Sequence, residues 1–184
     1  MSIRTKKPTA AHEPDNEMTF VSGKDAVAVR ISGYQYPNTD EYQPEDIEWL
    51  MVDVKAVYQG KRWTCTDACL RCRDLPLLRE YFTAARDDMP KGTVFRSIEP
   101  NLQFHASAPD THREITIILS MELLPKCIRN EVISIRCRVR RTDMLRYTDV
   151  IRRWEKEYPD RKDETPKHVP RRRMNWKNIV EITV

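Results

Sequence analysis

In the segment Glu114-Ile-Thr-Ile-Ile-Leu-Ser-Met-Glu-Leu123, every second side chain is apolar. One side of this segment carries Ile115, Ile117, Leu119, Met121 and Leu123, and the other side carries Glu114, Thr116, Ser120 and Glu122. A period of two is typical of a half-buried antiparallel strand. The same alternation predicts further strands over residues 26–31, 50–57, 94–98, 102–106 and 132–139.

Two segments have helical spacing instead. Asp74 is expected to cap the first helix, whose apolar stripe is Leu75, Leu78, Phe82 and Ala85. The second helix follows Thr142 or Asp143, and Pro159 ends it; its stripe is Met144, Tyr147, Ile151, Trp154 and Tyr158. A helix with one apolar stripe packs on a sheet. The sequence therefore predicts an α+β fold, with a curved antiparallel β-sheet or sandwich, one helix inserted midway and one near the C-terminus.

A chain of 184 residues is long enough for one domain with a proper core. We divide it into a disordered N-terminal arm over residues 1–17, a single α+β domain over 18–161 and a basic C-terminal extension over 162–184. Residues 179–184 alternate as a short terminal strand would. The last twenty residues contain five basic side chains and one acid, whereas residues 18–164 are balanced in charge. The domain itself is therefore not a basic platform of the kind that nucleic-acid-binding folds present.

No segment approaches the roughly 18 apolar residues of a membrane span. The first seventeen residues lack the apolar core of a signal peptide. The five cysteines are an odd number and are expected to be reduced thiols. These features predict a cytoplasmic protein that does not contact a membrane.

The spacing Cys65-x-x-x-Cys69-x-x-Cys72 is the one that radical SAM enzymes use for an iron–sulfur cluster. Arg71 stands where those enzymes usually have an aromatic residue, and a zinc site would need a fourth ligand. We expect instead that Cys69 packs in the core and that Cys65 and Cys72 are half-exposed. The four histidines are far apart, and no nucleophile with an adjacent base is recognisable. The sequence thus predicts no enzyme, no cofactor and no metal, with an iron–sulfur or zinc protein as the weakest of three hypotheses.

Acidic residues are concentrated in Asp40-Glu-Tyr-Gln-Pro-Glu-Asp-Ile-Glu48, which contains five acids and no base. One interpretation is an exposed loop before Trp49 that presents carboxylates around an aromatic ring to a basic protein partner. Charge complementarity accelerates such encounters, and a buried aromatic side chain supplies binding energy. The candidate partner-binding residues are Asp40, Glu41, Tyr42, Glu45 and Asp46. The alternative is a solvated loop in which Asp46 caps a turn.

Basic residues are concentrated on strand 132–140 and in the C-terminal extension. The candidate polyanion-binding residues are Arg136, Arg138, Arg140, Arg171, Arg172 and Arg173, which would contact phosphates. The alternative interpretation is a solvated sheet face paired with acids such as Glu122, followed by a flexible tail.

Several short segments follow one another in a characteristic order and spacing. They are Gly33-Tyr-Gln-Tyr-Pro37, Asp46-Ile-Glu-Trp-Leu50, Trp63, Asp67-Ala-Cys-Leu70, Asp74-Leu75, Ile98-Glu-Pro-Asn-Leu-Gln-Phe104 and Leu123-Leu-Pro125. In this order and spacing they resemble the WapI-type family of bacterial immunity proteins, over roughly residues 18–161. Members of that family are small cytosolic proteins that neutralise the toxin domain of a contact-delivered polymorphic toxin.

The resemblance implies an immunity protein that binds a cognate toxin domain and neutralises it by stoichiometric occlusion, without a cofactor. It also implies that the Gln35 and Asn101 amides satisfy backbone groups. The residues to which it gives a scaffold role are Tyr34, Pro37, Trp49, Leu50, Trp63, Leu70, Pro100 and Phe104. The family pattern commonly has a small or amide residue where this chain has Glu48, and a proline where it has Ala68. The alternative function is a nucleic-acid-associated accessory protein that uses the basic strand face and the basic tail.

Overall fold

The computed structural model describes residues 16–38, 46–87, 93–107, 113–128 and 131–161. Their order is four strands, a helix, four strands and a helix. The elements are β1 (Met18–Ser22), β2 (Asp25–Tyr34), β3 (Trp49–Tyr58), β4 (Lys61–Arg71), α1 (Asp74–Arg86), β5 (Thr93–Arg96), β6 (Leu102–Ser107), β7 (Arg113–Ser120), β8 (Val132–Val139) and α2 (Arg141–Glu157). The predicted α+β class, with one helix midway and one near the end, is confirmed.

The strands form two antiparallel four-stranded sheets, β1-β2-β3-β4 and β5-β6-β7-β8. A helix follows each sheet, so the same four-strand-and-helix unit occurs twice, although the sequence shows no internal repeat. Two hairpins in the first sheet are tight. The β3–β4 turn uses Gln59 at φ 49° and Gly60 at φ 79°, the positive values that a type I′ turn requires.

Strands β1 and β4 are not among the strands predicted from alternation. β4 is partly accessible along most of its length, and only Cys69 and Leu70 within it are buried. A strand without a clean apolar face gives no period-two signal. β1 has only five residues, and its pairing with β2 places Met18 and Phe20 in the core.

The core joins both sheets to both helices through aromatic rings. Phe20 of β1, Phe82 of α1, Phe104 of β6 and Tyr147 of α2 are all buried. The ring centroids of Phe20 and Tyr147 are 4.6 Å apart, and those of Phe82 and Phe104 are 5.4 Å apart. Aromatic pairs at these distances contribute beyond the area they bury. The two halves therefore share one hydrophobic core.

Both helices begin earlier than predicted. Asp74 is the first residue of α1 and not its N-cap: its Oδ2 accepts a hydrogen bond from the Arg71 backbone N–H at 2.8 Å. In α2, Asp143 is the third residue, and its Oδ2 accepts from the Arg140 backbone N–H at 2.9 Å. In each case an acid in the first turn accepts a hydrogen bond from the backbone just before the helix. Its negative charge also interacts favourably with the positive end of the helix dipole.

The predicted strand over Glu114–Leu123 is wrong in its last three residues. β7 ends at Ser120, and residues 121–123 form a single 3₁₀ turn. Met121 has φ 53° and is 47% exposed, whereas Leu123 is buried as predicted. The turn is held by the indole Nε1–H of Trp63, which donates to the Leu123 carbonyl at 3.1 Å.

Several predictions fall outside the described residues. These are most of the N-terminal arm, the acidic residues Asp40, Glu41, Tyr42 and Glu45, and the extension from residue 162 onward with Arg171, Arg172, Arg173 and the strand at 179–184. Within the part of the chain that the structure describes, no helix is long and apolar enough to cross a membrane.

Candidate functional site

An open cleft of about 460 Å³ lies between the two halves of the molecule. One wall is formed by the first sheet and the residues next to its strands. The other wall is formed by the turn before β6 and the turn after β7. The cleft is lined by Gln35, Trp49, Asp67, Ala68, Glu99, Asn101, Met121 and Glu122. Four of the short segments quoted above, far apart in sequence, therefore meet at this one place.

Local irregularities of the first sheet shape this end of the molecule. The β2–β3 register shifts between Ile31 and Gly33, and the β3–β4 register shifts between Leu50 and Met51. Beyond the first bulge, the Gln35 backbone N–H donates to the Trp49 carbonyl at 2.8 Å. Bulges re-aim side chains and are over-represented beside functional sites. Here they precede Gln35 and flank Trp49 and Ala68, three of the lining residues.

Asn101 organises the polar side of the cleft. Its side chain is buried, and its Nδ2 donates to Asp67 Oδ2 at 2.7 Å and to Glu122 Oε2 at 3.3 Å. The prediction that the Asn101 amide satisfies backbone groups is therefore wrong, because it binds two carboxylates. Its Oδ1 is buried and has no hydrogen-bond partner among the residues that the structure describes. A buried acceptor without a donor costs about 1–3 kcal/mol.

The cleft is anionic, with an apolar rim. Asp67, Glu99 and Glu122 are its charged lining residues, and none of the lining residues that the structure describes is basic. Trp49 and Met121 contribute apolar surface, and Met121 is strained by its positive φ. Acids beside an aromatic ring and an exposed methionine suit a basic protein partner better than an apolar ligand.

The acidic segment predicted before Trp49 is only partly described. Asp46 lies in a turn, and its carbonyl accepts from the Trp49 backbone N–H at 3.3 Å, so this segment runs directly into the cleft. Glu48 does not lie in an exposed loop as predicted. It is buried, and its carboxylate pairs with Arg73 at 2.8 Å. That pair explains how an acid is accommodated where the resembled family has a small or amide residue.

The basic face of β8 is where the sequence places it. Arg136 and Arg138 are exposed and lie opposite Thr116 and Glu114 on β7. Glu122 is not their partner, because it lies in the cleft. Arg140 is exposed, and its guanidinium is held by Asp143 through two hydrogen bonds at 3.0 and 3.1 Å. A second, smaller cleft of about 210 Å³ adjoins this face; its basic lining residues are Arg138, Arg140 and Arg146.

The cysteine triplet does not form a site. Cys69 is buried as predicted, but Cys72 is also buried, and its Sγ–H donates to the Glu48 carbonyl at 3.3 Å. Burial raises the pKa of the Cys72 thiol to about 11 and raises that of Cys69 further. Metals and electrophiles need thiolates. Among the residues that the structure describes, no group of histidine, cysteine or acidic side chains could hold a metal ion.

The profile of the immunity protein WapI-like family matches residues 18–159. No curated protein sequence matches the chain. Two plant proteins are among the similar solved structures. The transcriptional regulator PBF-2 is 10% identical with a TM-score of 0.43, over 77% of this chain and 81% of that one. WHY1 from Arabidopsis thaliana is 10% identical with a TM-score of 0.42, over 77% and 89%. These two likenesses carry no argument about function.

Proposed function

Because this chain belongs to the WapI-like family of immunity proteins, we propose that it binds a cognate bacterial toxin domain and neutralises it as a one-to-one complex. The anionic cleft between the two halves is the centre of the proposed interface. The predicted partner-binding residues Asp40, Glu41, Tyr42, Glu45 and Asp46 are proposed as a further part of this interface.

The observation that supports this proposal is the convergence of four motif segments on one open cleft. A scaffold role explains buried side chains such as Leu50 and Phe104. It does not explain why a partly exposed Trp49 and a strained and exposed Met121 lie beside Asn101, whose Oδ1 has no partner among the residues that the structure describes. Features of this kind cluster where a protein meets a partner.

The proposed mechanism is occlusion, which requires no chemistry from this chain. A tight complex would bury on the order of 800 Å² on each partner. An interface of that size has about 20–30 residues on each side, so residues around the eight that line the cleft must also contribute. A negative surface would accelerate association with a basic toxin and would make the association rate fall with salt.

The test is to mix the purified protein with the toxin domain encoded beside it, and to measure the toxin's activity and the heat of binding. We expect activity to disappear at an equimolar ratio. The variant Met121→Arg should weaken binding at least about tenfold, because it places a cation at the rim of the anionic cleft. Leu77→Arg is the matched control, since Leu77 is 56% exposed on α1 and does not line the cleft. A toxin that stays fully active with excess protein contradicts the proposal.

Nucleic-acid binding is the second candidate function, and it is supported by the basic cleft beside β8. It predicts binding to single-stranded DNA or RNA that weakens steeply with salt. The double variant Arg136→Glu/Arg138→Glu, or deletion of residues 165–184, should abolish that binding. A binding constant that does not change with salt would exclude this function.

A further inference from the structure

We propose that the anionic cleft is a receptor for one arginine side chain of a protein partner. The guanidinium group would bind the remaining oxygens of the Asp67 and Glu122 carboxylates and, after a shift of the Asn101 side chain that exposes it, would donate to Asn101 Oδ1. This inference rests on the proposed function, because it names the chemistry by which a toxin domain would enter the cleft.

The two carboxylates are already directed at a shared point. Asp67 belongs to β4 of the first sheet, and Glu122 belongs to the turn after β7 of the second. Both accept from the same Asn101 nitrogen, at 2.7 and 3.3 Å. Each carboxylate can accept several further hydrogen bonds. A cation between them would therefore relieve the repulsion of two like charges.

The orientation of the Asn101 amide is fixed by these neighbours. If the amide were reversed, its oxygen would face two carboxylates and neither contact could be a hydrogen bond. Nδ2 must therefore face Asp67 and Glu122, and Oδ1 of this cleft-lining residue is left as a buried acceptor with no partner among the described residues. A ligand that enters here must bring a donor for this oxygen as well as a positive charge.

Arginine meets these requirements better than lysine or a metal ion. Its planar guanidinium has five donors in a fixed fork, so one group can serve an amide oxygen and two carboxylates together. Lysine has only three donors around a compact charge. A divalent ion would need a closer set of ligands than the described residues provide.

The apolar lining residues fit the rest of the side chain. The Trp49 ring already interacts with one guanidinium, since the Cζ atom of Arg71 lies 5.7 Å from its centroid. Arg71 does not line the cleft, and its Nε lies 3.9 Å from Asp74. Tryptophan is the best aromatic partner for a cation, and Met121 can cover the methylene groups of an arginine stem.

The test is an NMR titration of the complete protein with Nα-acetyl-arginine amide. The signals to follow are the side-chain NH₂ of Asn101 and the indole N–H of Trp49. We expect both to shift and saturate with arginine amide and not with the corresponding citrulline amide, which has the same shape without the charge. Equal shifts with citrulline amide, or the same shifts with calcium chloride, would overturn the proposal.

Two variants test the carboxylates. Asp67→Asn and Glu122→Gln should each weaken arginine-amide binding at least about fivefold, because each removes a charge-assisted hydrogen bond. Asp149→Asn is the control, since Asp149 is exposed on α2 and does not line the cleft. Wild-type affinity in both cleft variants would overturn the arginine site.

The same variants separate this inference from the proposed function. A toxin domain that binds Glu122→Gln as tightly as wild type overturns the arginine receptor and leaves the immunity role intact. A toxin domain that does not bind the wild-type protein overturns the immunity role, while the titration with arginine amide still decides the receptor.

Discussion

Asn101 and Asp67 are joined by a 2.7 Å hydrogen bond from the amide Nδ2 to a carboxylate oxygen, and this bond connects the two halves of the molecule across the cleft. Asp67 lies in the first sheet, and Asn101 immediately precedes β6 of the second. The residues are 34 positions apart in sequence. The geometry of the cleft therefore depends on the packing of the two halves against each other.

Replacing Asn101 with aspartate should destabilise the protein by about 1–3 kcal/mol, because a donor is lost and a third carboxylate joins Asp67 and Glu122. The loss should shrink as the pH falls and the new acid becomes neutral. Urea unfolding at neutral and acidic pH measures both effects. Gln103→Glu is the matched control, since the same chemical change is made on β6 at an exposed hydrogen bond. An Asn101→Asp variant as stable as that control would show that the amide does not hold the carboxylates.

Arg161 is expected to contribute to stability more than other surface arginines. Its guanidinium lies 3.4 Å from the Tyr34 ring centroid, and its Nη1 donates to the Tyr36 carbonyl at 2.9 Å. Arg161→Ala should cost about 1–2 kcal/mol in the free energy of unfolding. Arg152→Ala should cost less than about 0.5 kcal/mol, because the contact that the structure describes for Arg152 is an exposed pair with Asp149. Equal losses in the two variants would contradict a special role for Arg161.

The five thiols should differ in their reaction with iodoacetamide. Cys127 is exposed, whereas Cys69 and Cys137 are buried. Burial raises the pKa of Cys137 to about 11, so the reactive thiolate is scarce at about pH 8.5. Peptide mass spectrometry after a short pulse should find Cys127 modified first, with Cys69 and Cys137 modified only after denaturant is added. Early modification of Cys69 would mean that the core opens readily.

The Asp53 carboxylate gives stability a defined pH dependence. Burial alone would raise its pKa, but hydrogen bonds from Arg30, Thr66 and Ser32 outweigh burial and lower the pKa below 3.8. A carboxylate with a lowered pKa stabilises the fold above its unfolded pKa and loses that contribution as the pH falls through the folded value. Asp53→Asn should therefore be about 1–2 kcal/mol less stable than wild type near pH 7.

That difference should begin to narrow below about pH 4, where Asp53 of the unfolded chain becomes protonated, and should narrow further as the pH falls through the lowered folded-state pKa. Denaturant unfolding at about pH 7 and pH 3 checks it. Asp149→Asn controls for the loss of one surface charge. A deficit in Asp53→Asn that stays constant across this range would contradict the assigned hydrogen-bond network.

Strands with one apolar face were predictable because their signal is local. The period-two alternation in β2, β3 and β8 reflects burial on one side of each strand, and the structure has all three. Both helices were predictable for the same reason, with Leu75, Leu78, Phe82 and Ala85 buried in α1. β4 was not predictable, because its burial is set by the bulge and by the other half of the molecule.

The sequence by itself determined the α+β class, the positions of most strands and both helices, and the family, since each depends on residues close together or on short motifs in order. Only the tertiary structure decided that Trp49, Asp67, Asn101 and Glu122 form one cleft. The physical reason is that hydrophobic periodicity depends on neighbouring residues and carries no information about contacts between residues tens of positions apart. In sequence, Asn101 is an amide in a turn; only the fold places it between two carboxylates, in the cleft that we propose as the binding site.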